Sequence, residues 1–258
     1  MEARKIIITG AATRIGAAIA RKLSEPGKEI VIHYNKSKLK AENLKKDLQK
    51  KGVKVYLIKG DLSKEKDVYK VVKYAKSKLG YFDCLVNNAS IFENDKLENF
   101  STDGWGKHLR TNLRTPALLS REFAKNIKGK NNNIINIIDQ RVFKLTPYFF
   151  SYTISKTGLY TLTKTSAMSL APYIRVNGIA PGPTIKNKRQ SEKHFKRQYL
   201  ATPLKKQVDV EEICNAVDFF IRNRSITGQI LAIDSGQNLN WQTPDIMSVK
   251  EWKKIILK

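Results

Sequence analysis

The chain has 258 residues, of which 41% are hydrophobic, so it can bury the core of one large domain and is not a disordered chain. No apolar run approaches the roughly 18 residues of a membrane span. The first residues lead directly into a short apolar strand, so we expect neither export nor a membrane anchor, but a cytoplasmic protein.

The chain is strongly basic, with 48 Lys and Arg against 23 Asp and Glu and a net charge of +25. This charge would attract polyanions or an anionic cofactor. Alternatively, a Lys-rich composition simply covers solvated helix faces. Runs such as residues 45–51 contain no aromatic side chains that could stack on bases. We favour the second interpretation and expect no nucleic-acid partner.

Cysteine and histidine do not indicate a metal site. Cys84 and Cys214 are predicted to be core thiols in a reducing compartment. The three histidines show no metal-ligand spacing, and we expect no bound metal.

Short Ile- and Val-rich runs alternate with amphipathic stretches along the chain. Strands are predicted at 5–9, 29–33, 54–59, 84–87, 133–138, 174–179 and 229–233. Helices are predicted to begin near residues 15, 38, 64, 102, 116, 152 and 211. The alternation indicates one α/β domain over 1–258, with a doubly wound, mostly parallel seven-stranded sheet and helices on both faces. Segment 182–208 has no clear pattern and is predicted to be a flap over the substrate.

Ligands of such sheets bind beyond the carboxyl ends of the strands. Gly10 and Gly16 follow the first strand and permit a tight turn, a close helix approach and pyrophosphate binding at the helix N-terminus. An ordinary strand-to-helix turn is the alternative. Arg14 stands where a third glycine is usual, and we interpret its guanidinium as a phosphate or substrate clamp.

The second strand is followed by Asn35, Lys36 and Ser37, where an NAD-binding unit would place an acid on the ribose. Lys36 and Ser37 could instead bind a 2′-phosphate, which favours NADPH over NADH. Asp61, after the third strand, could accept from the adenine amino group or form a turn with Ser63. Small residues after the fourth strand would let the backbone approach the cofactor ribose.

Tyr152 and Lys156 are four residues apart, so on a helix they share a face. A nearby ammonium favours the phenolate and is expected to lower the pKa of Tyr152, making it a usable general acid. The chain contains five Tyr-x-x-x-Lys matches. Only this one follows an apolar strand with a polar tip, Asp139, and precedes a Pro181-Gly182 turn.

Together these motifs resemble the short-chain dehydrogenase/reductase family over nearly the whole chain, with its Rossmann-like fold. The resemblance implies that Tyr152 donates a proton. Lys156 would lower its pKa and bind the nicotinamide ribose, and Asn112 would hold a helix kink and a relay water. The implied cofactor contacts are Gly10, Arg14, Ile15, Asn35, Lys36, Ser37, Asp61, Leu62, Asn88, Ala89, Tyr152, Lys156, Pro181 and Gly182.

Two departures from the usual family pattern resemble the pteridine reductase and dihydromonapterin reductase branch. Asp139 replaces the common serine at the tip of the fifth strand, and Arg14 interrupts the glycine turn. The branch implies that a pterin stacks on Phe92, that Arg14 and Ser90 contact cofactor phosphate and pterin, and that Asp139 assists Tyr152 in proton delivery. Capping or solvation of Asp139 and core packing of Phe92 are the alternatives.

We therefore expect an NADPH-dependent reductase that acts on a dihydropterin or dihydrofolate. A carbonyl reductase for a ketone, sugar or 3-oxoacyl thioester is the first alternative. A non-catalytic NADP-bound binding protein, such as an RNA-associated scaffold, is the second. The family resemblance also implies a homotetramer packed through helices near 102–125 and 152–169.

Overall fold

A computed structural model describes residues 4–187 and 189–241 of the protein. The strands are β1 (Lys5–Ile8), β2 (Glu29–Tyr34), β3 (Lys54–Lys59), β4 (Cys84–Asn87), β5 (Asn132–Ile137), β6 (Ile174–Pro181) and β7 (Ile230–Ile233). They form one sheet in the order β3-β2-β1-β4-β5-β6-β7, and each neighbouring pair is parallel. The predicted doubly wound fold is confirmed. The order in which the chain adds strands to the sheet reverses between β1 and β4. In sheets of this kind, ligands bind in the crevice at that point.

Helices cover both faces of the sheet. They are α1 (Arg14–Lys22), α2 (Lys38–Gln49), α3 (Glu65–Leu79), α4 (Thr102–Leu109), α5 (Thr115–Ala124), α6 (Phe150–Leu170), α7 (Glu192–Leu200) and α8 (Val210–Arg222). Within the described part of the chain, no helix is both long enough and apolar enough to cross a membrane.

The alternation of side chains along β1 explains the two-layer core. Ile6 and Ile8 point to a cluster that includes residues of α1, α2 and α8. Ile7 points to the opposite cluster, which includes residues of α3, α5 and α6. Because successive strand residues face opposite sides, three consecutive isoleucines serve both layers.

Segment 182–208, which shows no clear pattern in the sequence, contains the helix α7. The role of the segment as a flap over the substrate stays a prediction. Ser191 caps this helix by accepting from the backbone N–H of His194 at 3.1 Å, and Phe195 is buried beneath it. The capping serine followed by Glu192 in the first turn is a sequence signal that could have predicted the helix.

Candidate active site

The glycine turn after β1 is closed by Asn88, which immediately follows β4. Asn88 Nδ2 donates to the carbonyl oxygens of Thr9 at 2.9 Å and Gly10 at 3.1 Å. A Cβ on Gly16 would lie 2.5 Å from Asn88 Nδ2 and 2.6 Å from the Gly10 oxygen. Gly16 must therefore lack a side chain for α1 to approach the turn this closely.

His33, near the end of β2, supports the same turn from behind. Its Nδ1 accepts from the backbone N–H of Gly10 at 3.1 Å, so the ring proton resides on Nε2, which lies 3.1 Å from the Gly60 oxygen. Burial lowers the pKa of His33 to about 4. This role of His33 was not predicted from the sequence, although a polar residue inside an apolar strand is a signal for it.

Arg14 adopts a left-handed backbone conformation with φ of 57°. Its guanidinium donates to the carbonyl oxygens of Ile185 and Lys186, both at 2.9 Å. Arg14 thus holds the first part of segment 182–208, and its role as a phosphate or substrate clamp stays a prediction.

The end of β2 is suited to a phosphate. Asn35 and Lys36 are exposed, and Ser37 is half-buried immediately before α2. A cation, a hydroxyl and a helix N-terminus meet here, which fits the 2′-phosphate of NADP.

Asp61 forms a turn with Ser63, which was one of the two roles predicted for it; the other was a contact with the adenine. Its Oδ1 accepts from Ser63 N at 3.1 Å and from Ser63 Oγ at 2.8 Å. The other predicted cofactor residues lie at the same edge of the sheet: Ile15 half-buried in α1, Leu62 buried, Ala89 half-buried beyond β4, Pro181 at the end of β6 and Gly182 following it.

The three predicted acid–base residues meet beyond β5. Tyr152 Oη donates to Asp139 Oδ2 at 2.8 Å. Lys156 Nζ donates to the Ile137 carbonyl oxygen at 2.8 Å and lies 5.7 Å from the centre of the Tyr152 ring. Tyr152 and Lys156 are both buried, so the β5 end and α6 form a compact acid–base site.

The expected lowering of the Tyr152 pKa is wrong for this arrangement. Burial raises the pKa of Tyr152 well above its ordinary value, and the charge and hydrogen bond of Asp139 raise it further. Burial also lowers the pKa of Lys156 to about 8, against the opposing charge of Asp139. The carboxylate, rather than the ammonium, is the charged group bonded to the phenol.

Asn112 lies in a π-helical segment, Arg110–Arg114, that joins α4 to α5. Its Oδ1 accepts from Ile91 N at 2.9 Å and Ser90 Oγ at 3.1 Å, and its Nδ2 donates to the Ile91 oxygen and Ser155 Oγ, both at 3.0 Å. Such π-bulges frequently occur at functional sites. The side chain ties the irregular helix to α6 and to the loop after β4; its role in a relay water stays a prediction.

An aromatic cluster adjoins Tyr152. Phe92 stacks on Phe149 with ring centres 4.4 Å apart and planes at 9°, and it meets the Tyr152 ring edge-on at 4.6 Å. Exposed Ser90 lies next to this loop. Phe149, which precedes α6 with φ of 57°, was not predicted, because its local sequence gives no signal for that conformation.

Comparisons with known proteins agree with the fold. The family profile described as enoyl-(acyl carrier protein) reductase matches residues 10–238. The 3-oxoacyl-[acyl-carrier-protein] reductase FabG of Staphylococcus epidermidis is 30% identical over 239 residues, covering 90% of this chain and 98% of that protein. The chain therefore belongs to the short-chain dehydrogenase/reductase family and is an oxidoreductase, as predicted.

Solved structures of FolM alternative dihydrofolate reductase 1 are also similar. The Brucella canis protein, complexed with NADP, is 42% identical with a TM-score of 0.89, covering 94% of this chain and 96% of that one. The Brucella suis protein, also with NADP, is 41% identical with a TM-score of 0.90, covering 94% and 98%. These neighbours agree with the predicted branch of the family.

Proposed function

We propose that the protein is an NADPH-dependent reductase that transfers hydride to the pteridine ring of a dihydropterin or dihydrofolate. The observation that carries this proposal is the 2.8 Å hydrogen bond between Tyr152 and Asp139. When hydride adds to a carbon of the ring, the adjacent ring nitrogen needs a proton. A phenol paired with a carboxyl group, beside an aromatic ring, is suited to that step.

Tyr152 is the proposed proton donor. Its raised pKa keeps the hydroxyl protonated at neutral pH, and Asp139 orients it. Phe92 offers a ring on which a flat heterocycle can stack, next to Tyr152 at 4.6 Å. NADPH, when bound, supplies the hydride.

The proposed contacts with the cofactor phosphates lie just beyond the carboxyl ends of β1 and β2. The turn at Gly10 and Gly16 and the N-terminus of α1 would hold the pyrophosphate, and Lys36 with Ser37 would hold the 2′-phosphate. Lys156 would bind the nicotinamide ribose. The NADP complexes of the Brucella proteins support this choice of cofactor.

Reduction of a carbonyl is the second candidate, because the FabG relatives and the family profile are named for acyl-carrier-protein substrates. A carbonyl oxygen gains negative charge as hydride arrives. A carboxylate bonded to the proton donor would oppose that charge, and this argues for the pteridine.

The direct test is NADPH oxidation with dihydrobiopterin, dihydromonapterin and dihydrofolate against acetoacetyl thioesters and simple ketones. We expect turnover with at least one pteridine and little with the carbonyl compounds. Efficient acetoacetyl reduction without pteridine turnover would contradict the proposal.

Asp139→Ser sharpens this test. The serine can still cap the turn at residues 140–142, because Ser caps about as well as Asp, but it removes the carboxyl partner of Tyr152. Pteridine turnover should fall by about 10²–10⁴-fold, while weak ketone reduction can appear. Asp47→Ser, on the exposed face of α2, is the control. Unchanged pteridine turnover in folded Asp139→Ser would remove the main support for this substrate class.

A further inference from the structure

The two carboxylate oxygens of Asp139 have different partners. Oδ2 accepts from Tyr152 Oη at 2.8 Å. Oδ1 accepts from the backbone N–H of Arg141 at 2.9 Å and lies 3.3 Å from Arg141 Nη1. Arg141 therefore makes two contacts with Oδ1, one from its backbone and one from its side chain, and Oδ2 faces the phenol.

The guanidinium of Arg141 also contacts the aromatic cluster. Its central carbon lies 5.2 Å from the Phe92 ring centre and 4.8 Å from that of Phe149, and the two rings are 4.4 Å apart. Because these three distances are similar, the guanidinium lies beside the two stacked rings. A guanidinium on the outer face of one ring would be much farther from the centre of the other ring. Arg141 thus joins the acid–base pair to the rings without covering their outer faces.

This arginine is not an ordinary surface cation. Its side chain is 17% exposed, and its Nε is buried with no hydrogen-bond partner among the described residues. A guanidinium is costly to bury, and a helical turn of three residues, Gln140–Val142, does not need one.

We propose that Arg141 is a positioning residue, which fixes the Asp139 carboxylate toward Tyr152 and links that pair to the Phe92–Phe149 stack. The inference rests on the proposed role of the Tyr152–Asp139 pair in proton delivery. It does not depend on which substrate receives the proton.

Several charged or titratable groups face Tyr152. Burial and then Asp139 raise its pKa, while the charge of Arg141 lowers it. Lys156 Nζ is 5.7 Å from the ring centre. The His108 ring is 6.4 Å away, with Nε2 accepting from Glu93 N and Nδ1 bonded to the Gly104 oxygen. Removing Arg141 should therefore raise the Tyr152 pKa.

The test compares Arg141→Met and Arg141→Lys with Arg21→Met, which breaks only the exposed ion pair of Arg21 with Asp47. We would measure kcat, KM, NADPH affinity by fluorescence, thermal unfolding and the pH profile of kcat. Arg141→Met should lower kcat by about 10-fold or more and leave NADPH affinity unchanged. The alkaline limb of the kcat profile of Arg141→Met should move to higher pH, because Tyr152 with a raised pKa keeps its proton to higher pH. Arg141→Lys should recover part of both effects.

A wild-type kcat and pH profile in folded Arg141→Met would overturn the inference. So would parallel losses of kcat and NADPH affinity in Arg141→Met and Arg141→Lys, since these indicate general distortion. If the wild type reduces ketones and not pteridines, the proposed substrate class fails. The alkaline-limb comparison, made with the ketone, still tests Arg141.

Discussion

At the scale of single residues, Tyr152 and Lys156 have separable tasks. Burial and Asp139 hold the proton on Tyr152, whereas the Lys156 ammonium is bonded to the Ile137 carbonyl. In the proposed reaction the phenol donates the proton, while the ammonium supports the scaffold and would contact the ribose.

Tyr152→Phe should therefore reduce turnover by about 10²–10⁴-fold while leaving NADPH affinity close to that of the wild type, because the ring packing is retained. Lys156→Ala should impair both. Steady-state rates and a fluorescence titration of NADPH distinguish the two effects. Equal losses of NADPH affinity in both variants would instead assign Tyr152 a structural role.

Lys36 is the residue on which cofactor preference should depend. It is exposed after β2, so replacing it with Asp adds repulsion toward a 2′-phosphate and restores an acid for the ribose hydroxyls. The loss of one charge-assisted contact should cost on the order of 1–3 kcal/mol. The ratio of kcat/KM for NADPH to kcat/KM for NADH measures this loss, and Lys38→Asp is the neighbouring control. A wild type that prefers NADH would disprove this interpretation of the β2 end.

At the scale of elements, the π segment Arg110–Arg114 depends on Asn112. The side chain is fully buried, and its four contacts reach the loop after β4 and α6. Asn112→Ala should lower the free energy of unfolding by on the order of 3 kcal/mol, because it leaves buried polar groups unpaired. Urea denaturation measures this. Asn99→Ala, at an exposed loop position, should have little effect; an equally small effect for Asn112→Ala would show that the segment does not need the amide.

The elements differ in how much of them could be predicted. The seven strands of the described sheet were located to within two residues at each end, because continuous runs of apolar, often β-branched residues are a local signal. The family resemblance implied a helix kink held by Asn112, but the partners of its side chain were not predicted, since they lie 21 and 43 residues away. Arg141 was not singled out for the same reason: its contacts depend on Phe149, which lies near Phe92 only after folding.

At the scale of the whole molecule, His33 ties stability to pH. Its pKa is about 4 when folded, against an ordinary value of 6.5, so the unfolded chain binds the extra proton between these values. The contribution of His33 to the free energy of unfolding is fully present above pH 6.5. It falls as the pH drops toward 4, by up to about 3 kcal/mol. Denaturation midpoints across this range should fall less steeply for His33→Asn than for the wild type. Exposed His194→Asn should follow the wild type, and identical slopes in all three proteins would contradict the assignment.

The proposed tetramer can be tested on α6. Ile154 and Met168 of this helix are 38% and 73% exposed, and apolar exposure on one helix suits contact with another copy. Sedimentation analysis should show a tetramer, and Met168→Glu should shift it toward smaller species. A monomeric wild type would rule out the proposed assembly.

Arg14 has a consequence for the order of events during turnover. Its guanidinium carries five N–H groups. Nη1 donates to the Lys186 carbonyl and Nη2 to the Ile185 carbonyl, so other donors are left for an anion at the glycine turn. An anion bound there would share a cation with segment 182–208, so its entry would add a second partner to the side chain that already holds that segment. Compulsory ordered kinetics, with dinucleotide entering first and leaving last, is the behaviour that this shared side chain favours.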